Sequence, residues 1–153
     1  MTTILYSKEH NVFVADGRER TADGCIATDE CQKIYHLPNG DVLAGAGHSS
    51  LIDRVVNHLS SEAALELAPL KVGEEEYCSA FIYCRADACV RELDITSEFI
   101  TYDELRYSYA IGSGWQWALA AHDLGKSPEE CVIYAASRDC YTGTNLTVYE
   151  LGE

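Results

Sequence analysis

Strand-forming residues begin at position 2. Thr2, Thr3, Ile4, Leu5 and Tyr6 are β-branched, apolar or aromatic, and a second such run, Val12, Phe13, Val14 and Ala15, follows the polar connector Lys8, Glu9, His10 and Asn11. Side chains of this kind suit a pleated, half-buried surface, and a polar connector of hairpin length makes the two runs an antiparallel pair. The chain therefore opens on a hairpin. Residues 33–37 and 42–46 form a second pair across Pro38, Asn39, Gly40 and Asp41, where Pro-Asn-Gly is a strong turn signal.

From Ser50 the period changes. Leu51, Ile52, Val55, Val56 and Leu59 recur at three and four, which marks one helical face, and Ser50 with Asp53 resembles a capping box. The pattern predicts a helix extending to Ala68, with a break allowed, before Pro69 and a polar loop over 71–76. Residues 78–84 and 89–93 predict another antiparallel pair turning through 85–88, and 99–102 and 107–111 predict shorter strands. Two helices follow. The first spans 115–124 and stops at Gly125; the second starts at Ser127, with Pro128 and Glu130 completing the start signal, and extends to Arg138. Residues 146–151 predict a closing strand. Strands in runs, with helices grouped between them, imply a layered α+β fold of antiparallel sheets with helices outside. At 153 residues, with no internal repeat or linker, the length predicts a single domain over 1–153.

Charge narrows the partners. The net charge of -14 supplies no basic stripe and repels phosphate backbones and anionic membrane surfaces, so neither nucleic acid nor membrane is expected as a partner. No apolar run approaches the 18 or so residues of a membrane span, and no signal-peptide pattern opens the sequence, which points to the cytoplasm. Seven cysteines without a Cys-x-x-Cys spacing or a matching His pair are read as reduced thiols, most of them small core residues. The five scattered histidines are read as surface or packing residues, and a Cys–His protease involving His48 finds no spacing in its favour.

Three local features carry chemistry. Met1 precedes a small residue, the usual setting for its removal by an aminopeptidase. Thr2 would then hold a hydroxyl nucleophile and a free amine on one carbon, and an α-amine of pKa about 7.7–8.0 can accept the hydroxyl proton. With Met1 attached, the nitrogen is an amide without useful basicity. The second feature is a pair of charges: strand alternation continues an apolar row, Val12 and Val14, into Asp16, and puts Lys33 on the face of Tyr35 and Leu37. An unpaired charge there is costly, so the two are expected to meet, unless Asp16-Gly17 is only a turn and Lys33 snorkels from an edge. Third, Gly45-Ala46-Gly47 ends a strand just ahead of a helix, where close backbone approach and free N–H groups suit an anion or oxyanion.

Taken with Ile111-Gly112-Ser113-Gly114 and Arg138-Asp139-Cys140-Tyr141-Thr142-Gly143, these segments resemble the proteasome β-type family of N-terminal-nucleophile hydrolases, and within it the bacterial HslV-like peptidases. The resemblance covers nearly the whole chain. It implies a four-layer αββα sandwich, two antiparallel sheets between helical layers. It assigns Thr2 as nucleophile, Asp16 and Lys33 as the tuning pair, the Gly47 N–H as oxyanion donor, Ser113 beside the threonine amine, and Asp139, Thr142 and Gly143 as the late motif, with Thr142 where proteasomal subunits carry serine. No cofactor is required; family members often bind a cation, sodium or magnesium, through carbonyls matching Ala136, Asp139 and Thr142. The implied activity is cleavage of unfolded polypeptides inside a homo-oligomeric ring, hexameric or heptameric and stacked in some members, fed by an AAA+ unfoldase ATPase. Two alternatives keep the fold: a non-catalytic ring subunit, and an amidohydrolase acting on small amides.

Overall fold

The computed structural model describes residues 2–61 and 70–152. Their contacts divide the chain into two compact units, residues 1–34 with 106–153, and residues 35–105.

The first unit is built on a sheet of order β10-β1-β2-β11, whose members are β10 (Tyr109–Gly112), β1 (Thr3–Ser7), β2 (Val12–Asp16) and β11 (Leu146–Glu150). All three pairings are antiparallel; Leu5 faces Ala110 on one side and Val14 on the other, and Leu146 faces Asp16. The expected N-terminal hairpin is therefore present, and it lies at the centre of the sheet rather than at an edge. Every residue of β1 and β2 is buried. Two helices, α2 (Trp115–Asp123) and α3 (Pro128–Arg138), pack on this sheet, placing Ala118, Ala121, Cys131, Val132 and Ala135 against Leu5, Val12, Val14 and Ala110. Small residues on the helix side let the helices approach closely. The start of α3 follows its sequence signal: the Ser127 side chain accepts from Glu130 N, the Glu130 carboxylate accepts from Ser127 N, and Pro128 stands in the first turn.

A two-stranded ribbon, β3 (Glu19–Arg20) with β4 (Ile26–Thr28), branches from the end of β2. The sequence reading placed no strands there. At two and three residues these strands are too short for a period-2 pattern, and Glu, Arg and Thr are not an apolar run.

The second unit carries a sheet of order β5-β6-β7-β8-β9, comprising β5 (Ile34–His36), β6 (Val42–Gly47), β7 (Cys78–Cys84), β8 (Cys89–Ile95) and β9 (Ile100–Leu105). The helix α1 (Ser49–Leu59) lies on β6, and Leu51, Ile52 and Val55 join Leu43, Ile82, Leu93 and Ile95 in one apolar cluster. The capping box expected from Ser50 and Asp53 is not formed. His48 is the N-cap and makes no side-chain cap bond, and Ser50 stands inside the first turn, its hydroxyl donating to Glu76 Oε2 at 3.3 Å. This helix ends at Leu59, and the continuation expected towards Ala68 falls on 62–69, outside the described residues. The last two strands before α2 begin one or two residues later than read, at Ile100 and Tyr109.

Among the described residues no helix is long and apolar enough to cross a membrane. All seven cysteines are free thiols, but only Cys78, Cys84 and Cys131 are buried, so most are not core residues as expected.

Candidate active site

Among the described residues of the first unit, the buried polar side chains other than Ser7 gather where β1, β2, the β10–α2 turn and the α3–β11 loop meet. Thr2, Thr3, Asp16, Asp139 and Thr142 are all below a tenth exposed. Asp16 ends β2, and its carboxylate collects five donors. Oδ1 accepts from the Thr2 hydroxyl, from Thr3 N at 2.9 Å and from Lys33 Nζ at 3.2 Å; Oδ2 accepts from Arg18 N at 3.0 Å and Gly143 N at 2.7 Å. A buried carboxylate needs such partners, because desolvation without them costs several kcal/mol. The charges that alternation placed on apolar rows do meet.

Lys33 immediately precedes β5, and its ammonium is nearly enclosed, with a side-chain exposure of 10%. Its three N–H groups go to three oxygens: the Thr2 hydroxyl, Asp16 Oδ1 and the Arg18 carbonyl at 2.6 Å. Since carboxylate and carbonyl only accept, and the Thr2 hydroxyl spends its own hydrogen on Asp16, all three bonds require a protonated amine. Lys33 is thus a fixed cation beside the Thr2 oxygen and cannot take its proton. Burial holds its pKa below the usual lysine range, and the Asp16 charge and hydrogen bond pull it back up.

A second carboxylate, Asp139, caps the end of α3. Its Oδ2 accepts from the Ser113 hydroxyl at 2.5 Å and the Thr142 hydroxyl at 2.6 Å, and its Oδ1 accepts from Tyr141 N at 3.1 Å. Because Thr142 donates to Asp139, the 2.7 Å contact between Thr3 and Thr142 hydroxyls has Thr3 as donor. The order of donation is fixed: Thr3 to Thr142 to Asp139, with Ser113 entering from the other side. Ser113 and Gly114 N also reach the Thr2 carbonyl, each at 3.4 Å. No buried side-chain nitrogen or oxygen among the described residues lacks a partner.

Glycine is required twice in the turn that carries Ser113. Gly112 has φ +93, and a Cβ there would stand 2.0 Å from the Thr2 carbonyl oxygen; a Cβ on Gly114 would stand 2.0 Å from the Thr3 hydroxyl. Both glycines let the β10–α2 turn close over residues 2 and 3.

Of the residues singled out from sequence, Thr2, Asp16, Lys33, Ser113, Asp139 and Thr142 are joined in the first unit by these bonds. Gly47 lies in the second unit, at the end of β6; its φ is +126 and a Cβ would stand 2.5 Å from the Tyr77 carbonyl, so the backbone there demands glycine. Ala136 lies in the last turn of α3, and the Asp139 carbonyl accepts from Thr142 N at 3.1 Å, which leaves it a second lone pair. Two contributors were not singled out from the sequence. Thr3 supplies an amide and a hydroxyl. Arg18 supplies a backbone N–H and a carbonyl, while its guanidinium is held by Asp29 at 2.8 Å.

No protein-family model matches the sequence, and no curated protein does. Among solved structures, eukaryotic HslV from Trypanosoma brucei is similar, with a TM-score of 0.68, 21% identity, and coverage of 97% of this chain and 98% of that one. The fold is HslV-like. At this identity the likeness concerns the path of the backbone, and the chemistry rests on the side chains described above.

Proposed function

We propose that this protein is an N-terminal threonine peptidase that hydrolyses unfolded polypeptides, with Thr2 as nucleophile once Met1 is removed. The observation that carries the reading is the Thr2 hydroxyl lying between the Asp16 carboxylate and the Lys33 ammonium, among buried polar groups. The HslV-like fold supports it.

In this reading the freed α-amine of Thr2 is the base, since Lys33 has no lone pair to offer. The Thr2 oxygen attacks a peptide carbonyl as its proton passes to the amine; the C–N bond then breaks, the amine returns the proton to the leaving nitrogen, and an ester to Thr2 remains. Water hydrolyses that ester by the same relay. The Lys33 cation favours the developing alkoxide and lowers the proton affinity of the adjacent amine, keeping it unprotonated near neutral pH. Asp16 positions Lys33 and the Thr2–Thr3 backbone. Ser113, Asp139 and Thr142 fix the segment carrying the nucleophile. The oxyanion role implied for Gly47 is part of the proposal but no step above depends on it. The carbonyls of Ala136, Asp139 and Thr142 would hold a structural sodium or magnesium ion, oxygen ligands being what such hard cations take.

The proposal extends to the αββα layering, to a cytoplasmic homo-oligomeric ring of six or seven subunits that encloses the site, and to an AAA+ unfoldase as feeder. Enclosure follows from the chemistry, because an open threonine site would cut any peptide that reached it. Intact mass of protein made in its own host, before and after a threonine-directed epoxyketone, tests the core of the reading. Loss of Met1 and one adduct per chain are expected, with the adduct absent in Thr2→Ala and casein turnover falling about 10³-fold or more. A chain that keeps Met1 and forms no adduct is a ring subunit without this chemistry. An adducted chain that turns over short amides but not casein is an amidohydrolase.

A further inference from the structure

The second unit holds a group of ligating side chains that has no part in the chemistry above. The β7–β8 hairpin turns through 85–88, and its register sets Cys84 directly opposite Cys89. Ala88 takes a φ of +51, in the left-handed region, at the point where the chain enters β8. Asp87 faces back across the turn: its Oδ1 accepts from the Cys89 thiol at 3.1 Å, and its Oδ2 pairs with Arg91 at 2.8 Å. Cys84 Sγ accepts from the same guanidinium at 3.1 Å and lies 3.5 Å from the Tyr102 hydroxyl. The Cys84 sulfur, the Cys89 sulfur and an Asp87 oxygen all lie within 4.8 Å of one another, the one such group of three among the described residues.

We propose that Cys84, Asp87 and Cys89 form a binding site for a thiophilic divalent cation of the zinc class. Two sulfurs and one carboxylate oxygen are a donor set that selects such ions over hard cations. Bonds of about 2.3 Å to sulfur and 2.0–2.2 Å to oxygen place tetrahedral ligands about 3.4–3.8 Å apart, so side-chain rotation closes the observed group by roughly 1 Å. Four residues separate the cysteines, within the spacing from which a single hairpin presents a pair of zinc ligands.

The surroundings favour the same ion. Arg91 already bonds one sulfur and the carboxylate, as an outer partner that orients metal ligands does. Two thiolates and a carboxylate beside one guanidinium leave a charge of minus two, which a divalent cation neutralises. The hydrogen now shared between Cys89 and Asp87 marks where the ion enters: the metal–sulfur bonds replace the two S–H bonds, and both protons leave to solvent. Asp87 is exposed and Cys89 half-buried, which opens the site to solvent, while Cys84 forms its buried floor. The fourth position is open to water.

Titration of the reduced, metal-stripped full-length protein with Co²⁺ in the absence of oxygen tests this. Expected are one equivalent bound per chain, a thiolate-to-cobalt charge-transfer band, and its loss on adding Zn²⁺. Cys89→Ser and Asp87→Asn, both at accessible positions, should weaken Co²⁺ binding at least 100-fold, while Cys25→Ser, an exposed thiol of the other unit, leaves it unchanged. Arg91→Ala should retain the band at an affinity about 10–100-fold lower. Absence of the band from the parent protein, or its persistence in Cys89→Ser of unchanged circular dichroism, overturns the proposal. So does a protein that binds no Co²⁺ but loses two thiols to glutathione disulfide, which would make Cys84 and Cys89 a redox pair.

Discussion

Around Asp16 the first unit buries carboxylates, hydroxyls and an ammonium, whereas around Leu43 and Leu93 the second unit buries hydrocarbon. Both interiors are satisfied, but they tolerate change differently. An apolar interior is judged by volume, and a side chain of similar size can be repacked. The polar one is judged atom by atom, because each donor left without its acceptor loses the full benefit of a buried hydrogen bond. The difference shows where function can reside: the first unit holds charged groups close together in a setting that hydrocarbon would fill at less risk.

Equal-sized substitutions in the two places break this comparison most directly. Asp16→Asn keeps the shape but leaves Lys33 without its counter-charge and turns an N–H₂ towards existing donors, so a loss of about 3–5 kcal/mol in denaturant unfolding is expected. Leu93→Met, at an equally buried site, should cost less than about 1.5 kcal/mol. Equal losses would show the polar centre to be no more demanding than the apolar one.

Alkaline pH sharpens the contrast. Burial pushes the Cys78 thiol of the second unit up to about 12. A group whose folded pKa is raised stabilises the fold fully below its unfolded value, about 8.5 for a thiol, and loses that contribution as pH rises through the folded value. Lys33 acts in the opposite sense: with its folded pKa lowered, its burial penalty is relieved as pH rises towards the ordinary lysine value of about 10.4. The unfolding free energy between pH about 8.5 and 10 should therefore fall by up to about 1.4 kcal/mol per unit on account of Cys78, with Cys89 and Cys131, also raised, adding in the same sense; Cys78→Ala should make the slope shallower and Lys33→Met should steepen it. The smallest effect belongs to a surface feature of the first unit. Ser127→Ala breaks the cap of α3 and should lower stability by about 1 kcal/mol, with no change at Thr2.

Legibility followed the same division. The hairpins at 2–15 and 78–93 and the start of α3 were plain in sequence, since a turn, a cap and an alternating run are each written locally; the last strand of the second hairpin continues to Ile95. Asp16 and Lys33 could be paired because each charge interrupts an apolar row. Backbone donors leave no such mark: nothing distinguishes the amides of Thr3, Arg18 and Gly143 as partners of one carboxylate. The start of α1 was misread because a serine near a helix start says nothing of whether it precedes or enters the first turn. The Cys84, Asp87 and Cys89 group has no Cys-x-x-Cys spacing to mark it; hairpin register unites two cysteines with four residues between them.

Strand β1 owes its place to a distant partner as well as a near one, with Thr3 opposite Gly112 and Ile4 opposite both Ile111 and Ala15. β1 can pair with β2 early, but its other edge is filled only once the chain has been made as far as Gly112. Long-range strand pairing of this kind is slow to form. Until then the Thr2 carbonyl lacks Ser113 and Gly114, and the Thr3 hydroxyl must wait longer still for Thr142, so the polar centre is assembled late.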